Sequence, residues 1–364
     1  MQVTKTTTLG ETVALNEPLA PASSQQHGKV QVSHGTGRRW PLSRWLTLLT
    51  FAVLLALPVL LAVLDNSFLL TLVSRCMIYG IAAISLNLIL GYGGMLSLGH
   101  AAFFGIGAYV VGITAQNFMY GTALMEWPFE LAASNDAIVV WPVAILLSAL
   151  AALLIGAISL RTSGVYFLML TLAFAQMIYF IFVSLDQYGG DDGMNLMSRN
   201  TLLGLDLDND LTFYYVCFGC LLLIYLLVQR LIAARFGMVL RGCKQNEQRM
   251  QAMGFPTYRY RLMAFALAGA GAGLAGALIG NQMEYVSPNL LHWKMSGELM
   301  VMVLLGGLGT LLGPLWGAFA FLLVEDVLSG ITEHWMLFFG PFLILVVLFA
   351  KGGIYGYLIR KEQP

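Results

Sequence analysis

Two short constellations in this sequence have spacings that chemistry could use. Cys217-Phe-Gly-Cys220 sets two thiols three residues apart, and Asp206, Asp208 and Asp210 alternate as the first ligands of a calcium loop do. Neither is completed. The cysteines sit in an apolar run without a second ligand pair, so packing accounts for them. In the acidic turn Leu211 stands where a calcium loop needs Gly, and Cys217 where it needs Glu. His100 is the only histidine inside a candidate span, and no His-Glu-x-x-His occurs. A Gly-x4-Gly-Lys-Ser/Thr phosphate loop is also absent, so the chain is not expected to hydrolyse ATP. No catalytic residue, metal ligand or bound cofactor is assigned. Cys76, Cys217, Cys220 and Cys243 lie in or beside apolar or basic stretches and make no disulfide framework.

The elements that carry these residues are apolar. Hydrophobic residues make up 58% of the chain and charged residues 10%, with a mean hydropathy of +0.77, whereas a soluble domain has about 25% charged residues. The zero formal net charge gives no argument for nucleic acid. Apolar runs fall at about 45–64, 76–90, 99–118, 137–160, 163–185, 211–234, 262–280, 299–312, 315–328 and 335–350. They have the length of membrane helices rather than barrel strands. The expected fold is therefore all-α, a polytopic membrane helical bundle of about ten spans, some short enough to be broken. Residues 1–44 read as a polar, disordered N-terminal tail, 45–350 as the membrane domain and 351–364 as a C-terminal tail.

Charge orients the bundle. Between 230 and 261 stand Arg230, Arg235, Arg241, Lys244, Arg249, Arg259 and Arg261 against Glu247 alone, which marks a cytoplasmic loop. The 186–210 connection has six Asp and only Arg199, and belongs outside; Glu126, Glu130 and Asp136 lie in another connection without bases. Both ends are basic near the membrane, so both termini are expected in the cytoplasm.

Glycine interrupts two of the apolar stretches, from Gly91 to Gly107 and from Gly306 to Gly317, the second with Pro314. Such residues break helices, and unwound backbone at membrane depth belongs beside a cavity or inside protein. Paired breaks point to a transport pathway. Candidates to line it are Asn87, Gly94, Ser97, His100, Thr171, Gly309 and Thr310. Asn87 serves equally as a bond to a neighbouring helix, His100 as a packed histidine and Thr171 as a donor to its own backbone. Glu298 reads as an early-turn helix acid near the outer interface, and Glu325 and Asp326 as solvated outer-end carboxylates. The glycine run from Gly269 to Gly280 reads as close helix packing. The stretch from Phe236 to Gly254 reads as one short helix stopped by Gly254 and Pro256, with Lys244 and Glu247 on one face.

The order of motifs resembles the branched-chain amino-acid ABC transporter permease family, in particular its longer, LivM-like subunits. The matching residues are Leu86-Asn-Leu-Ile-Leu-Gly-Tyr-Gly-Gly-Met-Leu-Ser-Leu-Gly-His100 with Gly105, Gly107 and Tyr109; Ser163-Gly-Val-Tyr-Phe167 with Thr171-Leu-Ala-Phe174; Gly189-Gly-Asp-Asp-Gly193; Arg241 with Asn246, Glu247, Arg249 and Gly254; and Leu304-Leu-Gly-Gly-Leu-Gly-Thr310 with Gly313 and Pro314. They cover about 75–351. The resemblance implies a type II-like importer permease of the bacterial inner membrane. Its partners would be a second homologous permease, two ATP-binding cassette ATPases that hold ATP and Mg, and a periplasmic solute-binding protein. It also makes Arg241, Lys244, Asn246, Glu247, Arg249 and Gly254 a coupling helix seated on an ATPase. The spacing from Glu247 to Gly254 is one residue longer than in the importer pattern called the EAA motif. The rival reading is an ion-coupled secondary transporter; an intramembrane enzyme or a membrane scaffold has less in its favour.

Overall fold

The computed structural model describes residues 42–63, 67–121, 135–202, 204 and 206–332, with isolated positions between 334 and 353. Among the described residues eleven α-helices follow one another: α1 Leu42–Val63, α2 Ser67–Asn87, α3 His100–Tyr120, α4 Ala137–Ser159, α5 Val165–Val183, α6 Asp210–Ala233, α7 Arg235–Gln245, α8 Glu247–Ala252, α9 Thr257–Met283, α10 Trp293–Gly306 and α11 Gly313–Ile331. Among the described residues, seven helical segments are long and apolar enough to cross a membrane: Ser67–Tyr92, α3, α4, α5, α6, α9 and α11. The apolar part of α1, Trp45–Val59, is shorter. The expected span 335–350 apart from Leu337, Gly340 and Pro341, residues 1–41 of the N-terminal tail, Glu126 and Glu130 lie outside the described residues, as does the C-terminal tail except Gly353.

Two boundaries differ from the sequence reading. The second span begins at Ser67, not Cys76, because Thr71, Ser74 and Arg75 are carried inside a helix that their own hydrophilicity would end. Ser74 returns its hydroxyl proton to the Leu70 carbonyl at 2.9 Å and so costs the helix little. The expected span at 299–312 instead starts at Trp293 and stops at Gly306. Its 14 residues rise about 21 Å, less than a ~30 Å hydrocarbon core.

At the core α3, α4 and α9 pack mutually against one another, with α2 against α6, α9 and α11. Apolar burial drives little association inside lipid, so close backbone contact must hold such helices together. The glycines of α9 supply it. A Cβ at Gly276 would strike the Phe104 carbonyl and lie 3.0 Å from the Ala108 nitrogen; one at Gly107 would strike the Gly273 carbonyl. Ser148 of α4 donates to the Phe103 carbonyl of α3 at 3.0 Å in the same seam. Gly276→Leu is therefore expected to lower the melting temperature in detergent by many degrees, since overpacking costs about 1–3 kcal/mol or more. Gly219→Leu, where an added Cβ meets nothing within 4 Å, is the control and should melt as the parent does.

The acidic connection folds around its one base. Arg199, 9% exposed, donates to the Leu207 carbonyl at 3.1 Å and to Asp210 at 2.9 Å. Its Nε lies 3.2 Å from the Glu284 carboxylate and its guanidinium 4.9 Å from the Phe213 ring centroid. Beside it β1 Met194–Asn195 pairs antiparallel with β2 Tyr285–Val286. The Asp206-Asp208-Asp210 turn is thereby used internally: Asp206 accepts from the Asp208 nitrogen, and Asp208 accepts from the Arg199 nitrogen.

Candidate functional site

The first glycine break begins with a wide turn. After Asn87 the helix continues through a π-helical segment, Leu88–Tyr92, then leaves helical geometry until His100. A π turn holds one residue more than an α turn and frees backbone groups from the ladder. Gly94 takes φ +67°, which L side chains avoid. Side chains satisfy the freed donors, two of them from other helices: Leu98 N–H donates to Thr171 Oγ1 (3.3 Å) and Ala101 N–H to Ser296 Oγ (2.8 Å), while Gly99 N–H donates to Ser97 Oγ within the break (3.2 Å). That is the condition for unwound backbone inside a membrane protein.

The second break, 307–312, is closed on itself by Thr310 Oγ1 donating to the Gly307 carbonyl at 2.8 Å, with Gly309 at φ +75°. Asn87 joins the two breaks. Its Nδ2 donates to the Thr310 carbonyl at 2.7 Å, and its Oδ1 accepts from the Gly309 nitrogen at 3.1 Å. A Cβ at Gly91 would strike Asn87 Oδ1 and lie 2.6 Å from the Gly309 nitrogen, so the breaks touch backbone to backbone. α2 and α11 run antiparallel here, since Leu315 meets Gly80 while Gly309 meets Gly91.

The basic loop reaches the same place. Lys244, in α7, donates from Nζ to the Gly91 carbonyl at 2.7 Å, and its Cγ lies 2.8 Å from where a Gly94 Cβ would stand. The loop is two helices, not one. Asn246 leaves helical geometry at φ −159° and caps α8 by accepting from the Arg249 nitrogen at 2.9 Å. Lys244 and Glu247 consequently face different partners: Lys244 the first break, Glu247 the start of α9. There Arg261 donates to Glu247 Oε2 at 2.7 Å and the Thr257 hydroxyl to Oε1 at 3.3 Å. Arg241 holds the entry to α7, donating to the Gly237 and Ile232 carbonyls at 3.2 and 3.1 Å. Gly254 N–H donates to the Gln251 carbonyl at 2.9 Å and ends α8 where the sequence places the stop. Arg249 is exposed, and its guanidinium makes no hydrogen bond or ion pair among the described residues. Burial, with the Glu247 carboxylate adding to it, pushes the Cys243 thiol up, so Cys243 stays neutral as it packs with Val239 and Met250.

The seven pathway candidates divide. Asn87, Ser97, His100 and Thr171 are buried within the chain, whereas Gly94, Gly309 and Thr310 reach its surface. Ser85 donates to the Ala82 carbonyl at 2.8 Å, so His100 Nε2 donates to Ser85 Oγ at 3.4 Å and buried Nδ1 is left without a partner. Thr171 also donates to the Leu168 carbonyl at 2.9 Å. Sequence reasoning gave no role to Ser296, whose only signal is a hydroxyl beside a short apolar helix. It also took Arg199 only as a charge count. Glu325 and Asp326, expected in solvent, are half-buried in α11, and Glu298 is half-buried in α10.

A bundle of apolar helices with two interrupted segments tied to one basic loop is the frame of a polytopic membrane transport protein. The model of the family described as branched-chain amino acid transport system / permease component matches residues 68–348, and the chain belongs to that family. The chain is 25% identical over 302 residues to the high-affinity branched-chain amino acid transport system permease protein LivM of Escherichia coli K12, covering 76% of this chain and 68% of that protein. The probable LivM protein of Methanocaldococcus jannaschii is 24% identical over 313 residues, 76% of this chain and 90% of its own length. A shorter match, 30% over 144 residues, joins the chain to the autoinducer 2 import system permease protein LsrC of Photorhabdus laumondii, covering 37% of this chain and 43% of that protein. No solved structure matches significantly.

Proposed function

We propose that this chain is one permease of an ATP-driven importer of branched-chain amino acids in a bacterial inner membrane, with both termini cytoplasmic. It pairs with a second homologous permease, rests on two ATP-binding cassette ATPases that bind ATP and Mg, and receives solute from a periplasmic binding protein. The chain itself hydrolyses nothing. Family membership supports the solute class, and the basic loop supports the ATPase dock. The single observation that carries the coupling role is the Lys244 bond to the Gly91 carbonyl, because it ties the basic loop to the breaks.

In this reading α7 and α8 are the coupling segment, with Arg241, Asn246 and Gly254 setting its shape, and Arg249 and one edge of Glu247 turned to the ATPase. Closure of the ATPases on ATP displaces the segment. Lys244 carries the displacement to Gly91 and Gly94, and Asn87 carries it on to Gly309 and Thr310, where the two breaks meet. Ser97, His100 and Thr171 hold the shape of the first break from within. The pathway runs past the surface positions Gly94, Gly309 and Thr310. ATP binding shifts the permease between outward- and inward-facing states only in so far as the ATPases grip the segment unequally in the two.

The test replaces Glu247 and Arg249 with alanine in the reconstituted transporter. Arg249→Ala should leave the chain folded and reduce substrate-stimulated ATP hydrolysis and uptake together, and Glu247→Ala should do so more severely, since it also frees Arg261. Unchanged uptake and ATPase activity in both variants would sink the coupling assignment.

A further inference from the structure

On α2, three turns from Asn87, a guanidinium lies among apolar spans with no ion-pair partner among the described residues. Arg75 is half-buried, its Nε is buried without a hydrogen bond, and its guanidinium carbon lies 5.6 Å from the Tyr79 ring centroid. Among the described residues no carboxylate comes within ion-pair distance of it. α2 packs against both α10 and α11, which carry two half-buried carboxylates, Glu298 and Glu325, that interact electrostatically with Arg75 and have no ion pair among the described residues. Lys294 and Asp326 stand at the margins of the group. Charges carried into a membrane bundle are costly and normally close on one another. These remain apart.

We propose that Arg75, Glu298 and Glu325 form a binding site for a zwitterion, the α-carboxylate and α-ammonium of an amino acid in transit. The inference rests on the permease reading above and names the groups that would meet its cargo. The guanidinium takes the carboxylate in the two-pronged geometry that suits it. Glu298 and Glu325 take the ammonium, and Tyr79 holds the guanidinium through its ring and a side-chain hydrogen bond. The two charges of an α-amino acid stand about 2.5 Å apart by standard bond lengths, so one molecule can bridge a gap too wide for a direct salt bridge. The site recognises the part common to all amino acids and leaves the side chain unread. Arg75 and Asn87 are about 18 Å apart along α2, so occupancy at one end of this helix and the locked breaks at the other share a single rigid element.

The experiment measures tritiated L-leucine uptake into proteoliposomes holding the whole transporter, with ATP hydrolysis measured alongside. Arg75→Gln should lower uptake at least tenfold while the complex still assembles and hydrolyses ATP. The triple variant Arg75→Gln, Glu298→Gln, Glu325→Gln separates the alternatives: a group that merely balances its own charge regains uptake when all three are neutral, whereas a zwitterion site stays lost. In the unaltered transporter without its soluble binding protein, tritiated leucine binding should be displaced by norleucine but not by 4-methylpentanoate or isoamylamine, which each lack one charge. Unchanged uptake in Arg75→Gln, recovery in the triple variant, or equal displacement by the singly charged analogues overturns the site while leaving the permease reading intact. If the unaltered transporter moves no amino acid at all, the permease reading itself fails and the site with it.

Discussion

Asn87→Leu should abolish transport while leaving a bundle that still inserts and assembles. Leucine nearly matches the amide in size, so the loss is chemical: the Gly309 N–H and the Thr310 carbonyl both lose their partner. Each part-buried group left unpaired costs about 1–3 kcal/mol, and each 1.4 kcal/mol is tenfold in an equilibrium. The contact between the breaks should therefore open by more than tenfold. Asn87→Asp is the informative companion. It can still accept from Gly309 but cannot donate to Thr310, and should fall between parent and leucine variant in uptake measured in vesicles. Parent-like uptake in Asn87→Leu would show that the two breaks need not be fastened to each other.

Lys244→Met should separate ATP hydrolysis from uptake. The methionine keeps the apolar stem that packs at Gly94 and removes only the ammonium on the Gly91 carbonyl. A hydrogen bond from a charged donor contributes about 1.5–3 kcal/mol, so uptake per ATP hydrolysed should fall about tenfold or more. The exposed Arg249 edge is untouched, and stimulated hydrolysis should persist. If hydrolysis and uptake fall together and equally, Lys244 acts at the ATPase face rather than at the break.

Much of this arrangement is legible in the sequence, because membrane helices announce themselves by length and basic loops by charge. The breaks are legible as well, since Gly91, Gly93 and Gly94, and again Gly306, Gly307 and Gly309, are too many for a plain span. What the sequence hides is pairing. Nothing local to Asn87 says that its partners are more than two hundred positions away, and Lys244 reads as one more cation of a cytoplasmic loop. The split at Asn246 is missed for a different reason: Lys244 and Glu247 have helical spacing, and only the cap formed by the Asn246 side chain turns one helix into two. Glu325 and Asp326 are misjudged because a carboxylate near the end of a short span looks solvated until the neighbouring helices are in place.

The seam of bare backbone between α3 and α9 has a mechanical consequence. Where Gly107 meets Gly273 and Gly276 meets Phe104, peptide groups rest on one another with no side chain between to act as a cushion. Long side chains can change rotamer and let helices creep past one another; touching backbones have no such slack. With Ser148 pinning α4 to the same seam, α3, α4 and α9 form a stiff block that translates or tilts whole. Any flexing in a transport stroke is thereby concentrated at the few residues that lie outside regular helix, and the block acts as the fixed jaw against which they work.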